Sequence, residues 1–422
     1  MTLPSRSLYL IVSILLFLAP ASNLVWRGGT GYGFFVLLAF ALWMAFANAR
    51  TPGYFAPLRT YRWYTAAMVA CIVVVMLQQA VMGYWAPRQF DAISRFALAL
   101  PVFLLLCRVP SRWLTVVGWG CAAGAVAANV WVFVDRPPGG WIYTTRLNNY
   151  YTNAIPFGDT ALLLAFLAVF TFGWDRPRDW RTLAPKTLAL LAGVYASYLS
   201  GTRGGWLAIP MFIVLLALQY RWFSHKKRMI VSALVVAVGV GALFTSHRVE
   251  QRFFEARTDF HDMQHGVDFT SVGQRLELWK SSLVLFSHHP VYGVGKGRYI
   301  PSLNLLVKRG ELQAVMVNER AHSDFFSIIA EQGAIGIASL LLFYFGTSVY
   351  FWRNLRATDH VIRTAAYSGL ALSFSTIVFG LTIDVLVPVM VTVLIALLTA
   401  TFLAAIHSRK RELALQAGAP HH

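Results

Sequence analysis

The sequence predicts an all-α polytopic membrane protein of about 12 transmembrane helices, with one long outward-facing loop that contains short amphipathic helices. Three observations point there. Hydrophobic residues make up 57% of the 422 positions, aromatic residues 14% and charged residues only 13%, a balance that a soluble domain of this length does not show. The apolar residues fall into runs long enough to cross a bilayer. The formal charge of +18 sits mainly in short loops between those runs. In a soluble chain such a charge would suggest nucleic acid; here it orients the helices and meets anionic headgroups, so membrane lipids are partners and nucleic acid is not implied.

In chain order, the expected spans are 7–26, 31–47, 64–85, 92–107, 113–134, 154–174, 186–202, 205–220, 229–245, 325–351, 362–383 and 386–406. The first lacks a convincing cleavage site and is followed at once by a second span, so it is expected to be retained. Cys71, Cys107 and Cys121 lie in or beside apolar runs at irregular spacing and suit small core residues, with no disulfide or metal pattern. An even number of spans puts both termini on one side. Basic clusters such as Arg176, Arg178 and Arg181, or Arg221, Lys226, Lys227 and Arg228, all fall in loops on that side. The opposite short loops hold few basic residues, which makes the termini cytoplasmic. The expected organisation is therefore helices 1–9 over 1–245, an outward loop over 246–324, and helices 10–12 with a cytoplasmic tail over 325–422. In a Gram-negative cell the loop would face the periplasm.

Within that loop, Ser271-Val272-Gly273-Gln274 has a capping-box pattern, and Leu276, Trp279, Leu283 and Phe286 recur as one stripe of an amphipathic helix. Arg275 falls in its first turn. A cation there opposes the helix dipole unless an anion binds, which hints at a phosphate site; an exposed surface arginine is the plainer alternative. The run His289-Pro290-Val291-Tyr292-Gly293-Val294-Gly295-Lys296-Gly297-Arg298 is a glycine-punctuated turn. Glycine follows Lys296 where a nucleotide phosphate loop needs Ser or Thr, so the run reads as a tight turn that could bring amides or Arg298 to a site.

Two further stretches carry chemistry. Arg203, in Ser200-Gly201-Thr202-Arg203-Gly204-Gly205-Trp206, is embedded between apolar runs, and an arginine at that depth needs a partner. That partner is either a bound ligand or a carboxylate such as Asp159, Asp384 or Glu331. The stretch Asn318-Glu319-Arg320-Ala321-His322-Ser323-Asp324-Phe325-Phe326 places an imidazole, a guanidinium and two carboxylates where a polar loop enters a membrane helix. Groups that move protons and hold anions are costly inside lipid and cheap at its surface, which makes this a candidate site; an ordinary solvated helix start is the alternative. Asp259, His261, Asp262 and His265 form the one dense group with metal-ligand chemistry, and a polar loop explains them equally well.

Taken together, Ser200 to Trp206 (Ser-x-x-Arg-Gly-x-Trp), Gly273 to Trp279 (Gly-x-Arg-x-x-x-Trp), His289 to Gly295 (His-Pro-x-x-Gly-x-Gly) and Ala321 to Gly336 (Ala-His-Ser-Asp-Phe-Phe, then Glu-Gln-Gly-Ala-Ile-Gly) resemble the O-antigen ligase family. These motifs cover about residues 200–340. Ser323 stands where that family usually has asparagine after the loop histidine.

The resemblance implies a membrane glycosyltransferase of lipopolysaccharide assembly. Its donor is undecaprenyl diphosphate-linked O-antigen, its acceptor a sugar hydroxyl of lipid A core, and its place the periplasmic face of the inner membrane. His322 would be the catalytic base and Arg203 and Arg275 the diphosphate clamps, with Arg298, Arg320, Asp324, Glu331 and Asp384 in support. These residue types suit the reaction: a lipid diphosphate leaves readily once its charge is stabilised, and the acceptor hydroxyl needs a base, whose neutral form neighbouring arginines would favour. No cofactor and no metal is expected, and one base without a carboxylate nucleophile suggests direct displacement with inversion. A polymerase of the same superfamily would use the same cluster with the growing glycan as acceptor. A lipid-linked glycan transporter would place its ionisable residues near the bilayer midplane, whereas here they lie toward span ends.

Overall fold

The computed structural model describes residues 6–141, 145–222, 271–312 and 319–418. The expected span 229–245, the Asp259-His261-Asp262-His265 group and Asn318 lie outside those residues. Among them the chain is helical, with no strand beyond one isolated bridge between Asn149 and Thr152. The principal helices are α1 (Arg6–Ser22), α2 (Gly29–Ala47), α3 (Arg62–Val81), α4 (Asp91–Leu106), α5 (Val117–Ala127), α6 (Ala154–Phe170), α7 (Trp180–Ser200), α8 (Ile209–Gln219), α9 (Ser271–His288), α10 (Tyr299–Lys308), α11 (Asp324–Gly346), α12 (His360–Thr382) and α13 (Val389–Ala417). Among the described residues, 8 helices or helix runs are long and apolar enough to cross a membrane, and Arg6–Ser22 and Arg203–Gln219 are shorter apolar ones. The protein is an all-α polytopic membrane protein.

Burial sorts the helices into layers. The apolar windows of α6 and α13 are 83% buried, against 39% in α2 and α3, so the first two form the centre and the last two the rim. Apolar side chains left outside, such as Leu10, Ile14, Leu18, Phe35, Trp43 and Phe46, need no polar cover if lipid surrounds them. α6 packs along α7, α13 along α4 and α12, and α11 along α3.

Several boundaries differ from the expected ones for local reasons. α7 starts at Trp180 and not near 186, because Asp179 caps it by accepting from the Thr182 amide at 3.2 Å. The buried Lys186 is tolerated inside it through an ion pair with Asp175 at 2.6 Å. α13 runs on to Ala417, well past the expected limit at 406, as a polar extension whose Glu412 caps Ser111 through the amide at 2.7 Å and the hydroxyl at 2.8 Å. α11 is broken at Gly333, whose φ of 64° and ψ of −155° are not helical.

That break is filled by the glycine-punctuated turn. The Val294 amide donates to the Ala330 carbonyl and the Gly295 amide to the Glu331 carbonyl, both at 2.9 Å, while the Ala334 amide donates to the Pro290 carbonyl at 2.8 Å. A Cβ at Gly333 would come within 2.5 Å of the Val291 carbonyl oxygen, so only glycine admits so close an approach. Gln78 of α3 closes the joint by donating to the Tyr292 and Glu331 carbonyls and accepting from the Lys296 amide at 2.9 Å.

Candidate active site at one end of the bundle

α9 covers Ser271–His288, where the apolar stripe predicts a helix, but it buries a different face. Leu278, Ser281, Ser282 and Leu285 are buried, whereas Leu283 of the expected stripe is 47% exposed. The serines can be buried because Ser281 and Ser282 donate to the Glu277 and Leu278 carbonyls of their own helix at 2.8 Å. The Tyr299 hydroxyl of α10 also donates to the Leu278 carbonyl at 2.9 Å. Trp279, on the edge of this face, stacks on Phe326 at 4.6 Å between ring centroids and donates its indole N–H to the Ala321 carbonyl at 2.9 Å. α9 is thus fastened to the residue before His322.

One turn before Trp279 on that helix stands Arg275, half-buried rather than a free surface residue. Burial and the nearby Arg203 guanidinium both lower its pKa. Among the described residues Arg275 has no carboxylate partner. Arg203 opens the one-turn helix Arg203–Trp206, which lies against the end of α12: a Cβ on Gly204 would collide with Thr382, and one on Gly205 with the Asp159 carboxylate. Asp159 itself is buried in α6, and neither of its oxygens has a hydrogen-bond partner.

His322 hangs from the same helix end. Its neighbour Ser323 is buried and donates to the Gly380 carbonyl of α12 at 3.2 Å. The backbone of His322 has φ 50°, the left-handed region that a residue with a Cβ seldom occupies, and such outliers persist where the surroundings impose them. Its side chain is one-third exposed and its Nε2 lies 3.3 Å from Oε2 of Glu319. The charged group in contact with the imidazole is thus the Glu319 carboxylate.

The supporting residues form a second, closed set. Arg320 reaches Asp384 through Nε at 3.2 Å and Glu331 through Nη2 at 3.8 Å. Glu331, fully buried, also accepts from Lys296 Nζ at 2.9 Å and from the Gly297 amide at 3.1 Å. Asp324, expected in support, is buried and occupied: it accepts from the Tyr344 hydroxyl at 3.1 Å and the Leu386 amide at 3.2 Å, tying α11 to the turn before α13. Arg298 lies 3.8 Å over the ring of Tyr84. Asp384 and Glu331 are thereby committed to Arg320 and Lys296, not to Arg203. Gln78 and Tyr344 were not singled out in the sequence, and Glu319 and Lys296, though they stood in the 318–326 stretch and the 289–298 turn, were given no role.

Comparison with known proteins falls on the segment that builds this end. Residues 188–341 match the family model described as O-antigen ligase. A protein of Haemophilus influenzae, described only as uncharacterized, is 25% identical over 273 residues, which cover 64% of this chain and 67% of that one. The O-antigen ligase of Escherichia coli K12 is 27% identical over 188 residues, covering 43% of this chain and 44% of that protein, less than half of either. Residues 188–341, which supply Arg203, Arg275 and His322, are thus the part of the chain that is similar to the O-antigen ligase family.

Proposed function

We propose that the protein is an O-antigen ligase that transfers polysaccharide from undecaprenyl diphosphate to a sugar hydroxyl of lipid A core at the periplasmic face of a Gram-negative inner membrane. The observation that carries this reading is the placement of two guanidiniums, Arg203 and Arg275, close enough to depress one of them, at the helix end that also holds His322. Like charges brought together cost energy unless an anion lies between them, and a diphosphate supplies two. Arginine suits this task because its planar fork grips phosphate oxygens in pairs and keeps its charge.

In the proposed reaction the acceptor oxygen attacks the anomeric carbon from the face opposite the diphosphate. The carbon–oxygen bond to the leaving group breaks, and its electron pair departs with undecaprenyl diphosphate, whose charge Arg203 and Arg275 stabilise. His322 takes the hydroxyl proton. With Glu319 accepting the Nε2 hydrogen, Nδ1 keeps its lone pair and is the atom that receives that proton. Configuration at the anomeric carbon inverts, and no metal takes part. Lys296, Arg320, Glu331 and Asp384 hold the loop on α11, so that the site keeps its shape while two lipids enter.

Purified protein given undecaprenyl diphosphate-linked glycan and lipid A core should yield glycan joined to core, with the opposite anomeric configuration by NMR. Lengthening of the lipid-linked glycan with no transfer to core would make the protein a polymerase of the same superfamily. Retained configuration would remove the single displacement.

A further inference from the structure

A cavity of about 730 Å³ lies where α6 and α8 end and α7 and α12 begin. Each of these helices presents its other terminus to the candidate active site, so the cavity sits at the far end of the bundle, and the proposed reaction makes no use of it. Its wall is apolar on one side, formed by Val169, Phe172, Leu183, Tyr220 and Trp222. Facing that wall are Arg178, Arg221 and Arg363.

Among the described residues these three cations lack counter-charges. Arg178 donates to the Gly173 carbonyl at 2.9 Å and Arg363 to the Ala357 carbonyl at 3.2 Å. Among the described residues, no carboxylate lies within ion-pair distance of any of the three. Of the nearby acids, Asp175 is taken by Lys186 at 2.6 Å, Asp359 by Arg409 at 2.9 Å, and Asp179 caps α7 by accepting from the Thr182 amide. Burial and the adjacent Arg176 and Arg363 guanidiniums lower the Arg178 pKa, with Tyr220 and Asp175 only partly opposing them. A second kind of group is also left over. Gln219 is buried and spends its amide N–H on the Phe170 carbonyl at 2.8 Å, while its Oε1 has no donor. A buried acceptor without a donor is costly, and a hydroxyl would satisfy it.

We propose that this cavity binds one anionic phospholipid whose headgroup carries a hydroxyl, such as phosphatidylglycerol. The phosphate meets the Arg178, Arg221 and Arg363 guanidiniums, the headgroup hydroxyl donates to Gln219 Oε1, and an acyl chain lies on the Phe172, Leu183 and Trp222 wall. Arg178 and Arg221 are exposed and Arg363 is half-buried, so a phosphate can reach all three guanidiniums beside the apolar surface.

The test is native mass spectrometry of the full-length protein released from bilayers of defined composition. Unaltered protein should retain one phosphatidylglycerol at least about tenfold more often than phosphatidylcholine, the discrimination that about 1.4 kcal/mol provides. Retention should fall to the phosphatidylcholine level in Arg221→Gln/Arg363→Gln and should survive in Arg221→Lys. Gln219→Leu should abolish the preference for phosphatidylglycerol over phosphatidylmethanol, which has the phosphate but no headgroup hydroxyl. Equal retention of the zwitterionic lipid, or full retention in the double variant, would overturn the proposal. So would displacement by glycerol 3-phosphate as effective as by the lipid, since that marks a site for a soluble phosphate. Should the double variant fail to fold, the lipid preference of the unaltered protein still decides.

Discussion

Two groups of charges share one end of the bundle and are treated in opposite ways. Around Glu331 each charge meets its opposite: Lys296 and Arg320 lie on the carboxylate, and Arg320 also reaches Asp384. Arg203 and Arg275 instead stand near each other, and among the described residues Arg275 has no carboxylate. The first group behaves as a joint, whose charges are satisfied within the protein and fix the loop on the broken α11. In the second, Arg275 has no acid among the described residues, and under the proposed reaction the donor's diphosphate is its complement. Residue type alone does not make this distinction, since both groups contain arginines; pairing does.

The comparison fails or sharpens by experiment. The largest effect is expected at the base: His322→Ala should cost roughly 10²–10⁴-fold in transfer rate, the usual worth of a positioned general base, with the melting temperature unchanged. A normal rate in purified His322→Ala would remove the histidine from the mechanism, and Asp324, already occupied by Tyr344 and Leu386, would be a poor replacement. Next comes the joint. Glu331→Ala leaves Lys296 and Arg320 facing a buried gap and should destabilise by about 3–5 kcal/mol, visible as lower yield and earlier thermal unfolding. A Glu331→Ala protein of full stability and no activity would move Glu331 into the other group.

The arginines should show the reverse pattern. Arg203→Lys and Arg275→Lys keep the charge and lose the fork, and each should slow transfer by roughly 10–100-fold, the worth of one or two charged hydrogen bonds. Arg275→Gln should lose more activity and yet melt no earlier than the parent, because a repulsion is removed. Early melting of Arg275→Gln would show that its charge is structural. Smallest of all, a chelator should leave the transfer rate where it was; inhibition reversed by added metal would place a cation in the reaction.

Much of this was legible before any coordinates. The apolar runs predict eleven helical segments found among the described residues, because a helix that faces lipid leaves a long, simple pattern. Arg203 stood out by its depth, Arg275 by its place in a helix's first turn and His322 by its residue type at a membrane border, and the Arg203 guanidinium acts electrostatically on Arg275. What the pattern hid was pairing. Glu331 and Gly333 sit in a run that reads as one continuous helix, and only the approach of Pro290 to Gly295 breaks it. The buried face of α9 was misread for a similar reason: Ser281 and Ser282 look polar in one dimension, yet their hydroxyls are satisfied by their own helix. Glu319 went unassigned because a left-handed turn at His322, invisible to any periodicity, is what folds the imidazole back toward it.

The clamp between residues 290–295 and α11 has a consequence for how such an enzyme can diversify. It is written in main-chain amides and carbonyls, so the side chains of Val291 and Tyr292, both exposed, contribute nothing to its hydrogen bonds. Those positions are free to drift, while Gly293 and Gly333, where a side chain would strike the opposing backbone, are not. We expect saturation mutagenesis to find Val291 and Tyr292 permissive and the two glycines intolerant; the opposite outcome would mean that the loop is held by its side chains. A surface that can vary without loosening its own foundation is where a lineage could change what it recognises.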